Sequence, residues 1–77
     1  ANTDNLFINF DMVEKEARSL IENKLSLPAY DQCLKASHIF NILDARGVIS
    51  VAQRSDYISR IRNIVKATGK VWLENNI

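Results

Sequence analysis

The sequence contains few residues that break helices and few that do chemistry. Its 77 residues include one proline, two glycines, one cysteine and one histidine. Scarce breakers allow long, uninterrupted helices. A single cysteine excludes an internal disulfide and is typical of a reducing compartment. A lone histidine, with no second ligand at suitable spacing, argues against a metal site or a catalytic triad.

Long hydrophobic runs are also missing. No apolar stretch approaches the roughly 18 residues of a membrane span, and no signal-peptide pattern opens the chain. We therefore expect a cytoplasmic protein with no membrane partner. The remaining composition is ordinary for one small domain, with 47% hydrophobic residues, 25% charged residues and a net charge of +1. A chain of this length is near the lower limit at which one core suffices.

Apolar periodicity predicts an all-α fold, an antiparallel three-helix bundle with helices at about residues 4–24, 28–46 and 51–74. In each segment the apolar residues recur at steps of three and four. The short connectors make successive helices antiparallel. Tyr30 is predicted to lie beside the core face of the second helix. The predicted core face of the third helix consists of Tyr57, Ile58, Ile61, Ile64, Val65, Thr68, Val71 and Trp72.

Helix boundaries are marked by specific residues. Pro28 fits the first turn of the second helix, because the missing N–H would have no partner there. Gly47 is suited to the left-handed position that follows a helix. Ser50 and Gln53 have the spacing of a capping box, which predicts the start of the third helix.

Asp44 lies in the last turn of the second helix, where a carboxylate opposes the helix dipole. We therefore expect it to accept hydrogen bonds from turn N–H groups or to pair with Arg46 or Arg54. The whole turn is predicted to be structural, through Asp44, Arg46, Gly47, Ser50 and Gln53.

Two isoleucines on the second helix are candidates for contact with a partner. Ile39 and Ile42 lie well off the main apolar stripe, so the helix is apolar over most of its circumference. We hypothesise that they pack against another domain or subunit. The alternative is that they are scattered exposed apolar residues, which are common.

The C-terminal half is basic. Between Ala45 and Trp72 there are six basic residues and one acid, a net charge of +5. Arg62, Lys66 and Lys70 form a row at four-residue spacing that is mildly unfavourable alone. Solvent, an acidic protein partner or a phosphate backbone would each relieve it. The helix dipole also explains Lys70.

Five pieces of sequence, in this order and spacing, are distinctive together: LPAY, LKASH, FN-x-LDAR, ISV and YI-x-RIR. With the preceding FDMVEKEARSLIE, they make nearly the whole chain resemble one domain. It is the C-terminal helical domain of the alpha subunit of bacterial heterotetrameric glycyl-tRNA synthetases. Ala52 and Gln53 stand where that family often has Thr-Glu, but Gln53 retains the capping chemistry. After Lys66 the likeness is less distinctive.

The resemblance implies a parent enzyme that joins glycine to tRNA with ATP and magnesium, as an assembly of two alpha and two beta subunits. In this family a class II catalytic domain precedes the helical domain, and the beta subunit supplies much of the tRNA recognition. Residues 1–77 would then be a single C-terminal domain without catalytic, cofactor or metal residues. Its partners would be its own catalytic domain, the alpha and beta subunits and tRNA. The alternative is a stand-alone nucleic-acid-binding or adaptor module.

Overall fold

The computed structural model describes residues 3–76 as three helices joined by two short turns: α1 (Thr3–Glu22), α2 (Ser26–Ala45) and α3 (Val51–Asn75). The rings of Phe7 and Tyr57 meet at one end of the molecule. At the other end, Asn75 Nδ2 donates a hydrogen bond of 2.9 Å to the Lys24 carbonyl. α1 and α3 therefore run parallel, with α2 antiparallel to both. The predicted all-α three-helix bundle is confirmed.

The end of α1 differs from the prediction by two residues. The helix stops at Glu22 because Lys24 adopts a left-handed conformation with φ of 60°. The Lys24 N–H donates to the Ile21 carbonyl at 3.0 Å, and the Leu25 N–H donates to the Leu20 carbonyl at 2.9 Å. This pair of bonds is a Schellman cap, which usually has glycine at its left-handed position. Because this position holds a lysine instead of a glycine, the sequence did not predict the cap.

The start of α2 was also predicted two residues late. α2 begins at Ser26, after Leu25 at the N-cap position, so Pro28 is the third helical residue rather than the first. The first four N–H groups of a helix have no intrahelical acceptor, so a missing N–H is tolerated there too. Pro28 therefore indicated the first turn of α2 correctly but not the residue at which the helix begins.

The second turn contains the predicted features. Gly47 has φ of 66°, and its N–H donates to the Asp44 carbonyl at 3.0 Å. Ser50 Oγ accepts a hydrogen bond from the Gln53 N–H at 3.1 Å, while the Ser50 N–H donates to Gln53 Oε1 at 2.8 Å. α3 therefore begins at Val51, where the capping box was predicted to start it.

Replacing Ser50 by alanine should lower the free energy of unfolding by about 1 kcal/mol, because the N–H of Gln53 loses its acceptor. In a chain of this size that corresponds to a fall in melting temperature of about 4–8 °C. Thermal melting by circular dichroism measures it. Ser55→Ala is the matched control, since Ser55 is exposed within α3 and alanine is the better helix former. Equal losses from the two variants would show that the capping box contributes nothing.

The core is aromatic where Tyr57 of α3 meets the other two helices. Its ring lies 4.7 Å from the ring of Phe10 in an edge-to-face arrangement and 6.3 Å from that of Phe40. Such pairs stabilise by more than their buried area alone. Towards the other end, Cys33 Sγ and Thr68 Oγ1 are 3.5 Å apart between α2 and α3. The core cluster consists of Phe10, Ala17, Cys33, Ala36, Phe40, Tyr57 and Ile64.

Three residues assigned to the core, or beside it, lie at the surface instead. Tyr30 is 51% exposed, Val65 44% and Trp72 50%. A helix in a three-helix bundle has two neighbours, which cover only a narrow stripe of its surface. On α3 that stripe is Tyr57, Ile64, Thr68 and Val71. The predicted face was too wide, and its excess forms part of the surface described below.

Candidate interaction surface

The residue types suited to metal binding are not clustered in the described part of the chain. Among residues 3–76, no three His, Cys, Asp or Glu side chains are grouped to hold a metal ion. Burial raises the pKa of the Cys33 thiol, so it is protonated at neutral pH. His38 is exposed on α2. Within the same residues, no helix is both long and apolar enough to cross a membrane.

The densest cluster of charge surrounds Arg60 of α3. Its Nε lies 3.1 Å from Glu14 Oε2, and its terminal nitrogen lies 2.6 Å from Glu14 Oε1 and 2.7 Å from Asp11 Oδ1. The guanidinium carbon also lies 4.9 Å from the centre of the Phe10 ring. These bonds, first of all those to Glu14, raise the pKa of Arg60 above its ordinary value. Because Asp11, Glu14 and Phe10 all belong to α1, these contacts join α3 to α1.

The turn between α2 and α3 contains one of the ion pairs anticipated for Asp44. Its Oδ1 lies 3.2 Å from Arg54 Nε, with both side chains well exposed. Exposed pairs contribute about 0–1 kcal/mol. Arg46 is the C-cap residue of α2, and its backbone N–H donates to Ile42. The Asp44–Arg54 pair thus links the end of α2 to the start of α3, and the structural role of the turn stays a prediction.

Ile39 and Ile42 are covered more than the sequence pattern indicated. Both are partly buried, and Ile39 packs against the core cluster. The bundle therefore covers Ile39 in part, although its position off the main apolar stripe indicated that it would be exposed. Their contact with a partner stays a prediction. The exposed apolar side chains of α2 are instead Leu27, Tyr30 and Leu34.

An apolar groove of about 320 Å³ runs between the start of α2 and the second half of α3. We call it the α2–α3 groove. Trp72 lines it, and Gly69 forms an open position at which an added Cβ would meet no atom within 4 Å. The lining residues are Ser26, Leu27, Tyr30, Val65, Thr68, Gly69 and Trp72.

A second groove, of about 480 Å³, lies between α1 and α2. Its apolar side chains include Met12, Leu34 and Ile39, and the polar residues Lys35 and His38 also line it. Of the predicted contact residues, only Ile39 lines this groove. The second groove therefore lies on a different surface from Arg62, Lys66 and Lys70, the predicted basic contacts.

Arg62, Lys66 and Lys70, which we call the basic row, are exposed side by side along α3. Within residues 3–76, none of the three takes part in an ion pair. Val65 lines the α2–α3 groove and also a neighbouring depression of about 430 Å³ that Arg62 and Lys66 line. Arg62 and Lys66 therefore border the α2–α3 groove, whereas Lys70 lines neither depression.

The apolar residues of this groove were not identified as a contact surface from sequence. Leu27, Tyr30 and Trp72 follow the same three- and four-residue steps as the core, so periodicity cannot separate them from it. Gly69 is the residue from which this contact surface could have been inferred. A glycine inside a helix costs about 1 kcal/mol relative to alanine, and no neighbour within the bundle requires it here.

These features define a small all-α domain whose exposed surface combines an apolar groove with basic side chains that have no ion-pair partner. A comparison with known families identifies the family to which this domain belongs. The model of the glycyl-tRNA synthetase alpha subunit family matches residues 1–76, and the chain belongs to that family. The resemblance found in LPAY through YI-x-RIR is confirmed. The parent protein is thus a subunit of an aminoacyl-tRNA synthetase, a ligase.

Proposed function

We propose that this chain is the accessory helical domain of a glycine–tRNA ligase alpha subunit. In this proposal it follows a class II catalytic domain and docks that subunit into an assembly of two alpha and two beta subunits. The parent enzyme attaches glycine to its tRNA with ATP in the cytoplasm. The domain itself is non-catalytic and serves assembly.

The exposure of large apolar side chains supports this proposal most strongly. Single exposed apolar residues are normal, but contiguous ones mark interaction sites. Eleven are exposed in the described chain, and several of them line the two grooves. They are Ile8, Met12, Leu25, Leu27, Tyr30, Leu34, Val48, Val51, Val65, Trp72 and Leu73.

ATP and magnesium are assigned to the preceding catalytic domain rather than to this one. Magnesium in nucleotide sites is held by carboxylates together with the phosphates. Among the described residues no group of three such ligands is present, and the neighbouring carboxylates of Asp11 and Glu14 are bridged by Arg60. Asp11, Glu14, Asp44 and Glu74 are each engaged with an arginine or lysine instead. These residues do not fit a nucleotide–metal site.

Deleting this domain from the full-length alpha subunit should separate assembly from adenylate chemistry. Glycine-dependent exchange between ATP and pyrophosphate should persist, because the catalytic domain remains. Association with the beta subunit, measured by sedimentation, should be lost, and glycylation of tRNA should fall with it. Loss of exchange with intact assembly would contradict the docking function and indicate a direct role in catalysis.

Contact with tRNA is the second candidate function, and the exposed basic row favours it. Lysine and arginine that neutralise phosphates make affinity fall steeply with salt. The observation against it is that the half-exposed rings of Tyr30 and Trp72 line the adjoining groove and do not alternate with the row, whereas single-stranded nucleic-acid sites usually interleave aromatic and basic side chains. In this role, reversing the charges of Arg62 and Lys66 would lower tRNA affinity and its salt dependence.

A further inference from the structure

We infer that the α2–α3 groove and the basic row together bind an acidic amphipathic helix of the beta subunit of the ligase assembly. This inference rests on the proposed docking function and names its surface and the chemistry of its partner. A helix-in-groove contact requires an apolar channel and a matching polar edge. The structure has both on one face.

The α2–α3 groove is suited to a helical partner, because it is an apolar furrow between two helices. Two helices, α2 and α3, form its walls, with Leu27 and Tyr30 on one side and Val65 and Trp72 on the other. Aromatic anchors such as Tyr30 and Trp72 are the residue types enriched at the energetic centres of interfaces. Between them Gly69 leaves open space, which allows the backbone of a docked helix to approach closely.

The polar edge selects an acidic partner. Arg62, Lys66 and Lys70 are exposed and have no ion-pair partner within residues 3–76. Arg62 and Lys66 border the groove through Val65, and Lys70 continues the row one turn further along α3. At four-residue spacing they extend over about 12 Å of helix. Aspartate or glutamate at the same spacing on a docked helix would face them in turn. The like-charge repulsion within the row would then become attraction.

Three variants of the full-length alpha subunit test the groove, with one matched control. Gly69→Leu fills the open position, Tyr30→Ser removes an aromatic side chain from the wall of the groove, and the double variant Arg62→Glu with Lys66→Glu reverses two charges of the basic row. Ile8→Ser is the control, since Ile8 is 55% exposed, close to the 51% of Tyr30, but lines neither groove. Each groove variant should weaken association with the beta subunit by about tenfold or more, and Ile8→Ser should not.

Folding is monitored separately on the 77-residue chain. Gly69→Leu should raise its melting temperature, because an added Cβ meets nothing and leucine is the better helix former. A variant that stabilises the domain while weakening assembly cannot act through misfolding. The charge reversal should weaken association most at low salt, where exposed charges are least screened.

Cross-linking identifies the occupant of the groove. A carbodiimide that condenses lysine amines with carboxylates should join Lys66 or Lys70 to acidic residues on a helix of the beta subunit. Links only to alpha subunits would overturn the inference, as would reduced tRNA affinity with unchanged assembly. If deletion of the domain abolishes assembly but the groove variants do not, the docking function stands and this surface is rejected.

Discussion

Replacement of Phe10 by alanine should lower the free energy of unfolding by about 3–5 kcal/mol, the range for large aromatic deletions in cores. Phe10 is fully buried, and its ring packs edge-on against Tyr57 and beneath the Arg60 guanidinium. Alanine would leave a cavity and remove both contacts. A domain of this length has about 4–12 kcal/mol of stability in total, so the variant should lie close to the unfolding threshold.

Urea denaturation followed by circular dichroism measures this loss. Met12→Ala is the matched control, since Met12 is on the same helix but 63% exposed. Its effect should remain within about 0.5 kcal/mol. Similar losses from Phe10→Ala and Met12→Ala would place Phe10 outside the core and contradict the packing described for α1.

Replacement of Arg60 by alanine should cost about 2–4 kcal/mol, because it leaves a partly buried carboxylate without its partner. The side chain of Glu14 is only 15% exposed, and Arg60 supplies its closest hydrogen bonds. The variant would also lose the contact with the Phe10 ring. Since all these partners lie on α1, the loss would weaken the attachment of α3 to α1.

Arg18→Ala is the matched control, because Arg18 approaches the same carboxylate. Its nitrogen lies 3.8 Å from Glu14 Oε2, and its side chain is 52% exposed. Exposed pairs of this kind contribute about 0.3–0.5 kcal/mol, so the control should scarcely change the melting temperature. Arg60→Lys should fall between the two, because an ammonium cannot reproduce the forked contact. If Arg60→Ala and Arg18→Ala are equivalent, the cluster contributes no more than a surface pair.

The stability of the bundle and the function proposed for it depend on different parts of the surface. The Arg60 cluster and the aromatic core hold α3 against α1 at the end that contains Phe7 and Tyr57. The α2–α3 groove lies instead between α2 and α3, where Leu27 and Trp72 line it. Substitutions in the groove therefore leave the main stabilising contacts in place, which lets assembly be tested without unfolding the domain.

Charge pairing shows where local rules fail. Sequence spacing matches Asp56 with Arg60 at four residues along α3, and that pair is present at 4.0 Å. Arg60 nevertheless makes its short contacts with Asp11 and Glu14, 49 and 46 residues away. A desolvated, forked interaction is stronger than an exposed neighbour on the same helix. No pattern in the sequence reveals which carboxylates another helix will bring near.

The sequence by itself determined the class of fold, the second turn and the family. Those depend on local chemistry: periodic apolar residues, the left-handed Gly47, the Ser50–Gln53 box and a string of matching segments. The tertiary structure alone decided which apolar residues are buried. Phe10 and Trp72 both obey helical periodicity, yet one is enclosed and the other is half exposed. That outcome depends on how three helices pack together, and the resulting groove exists only after they have.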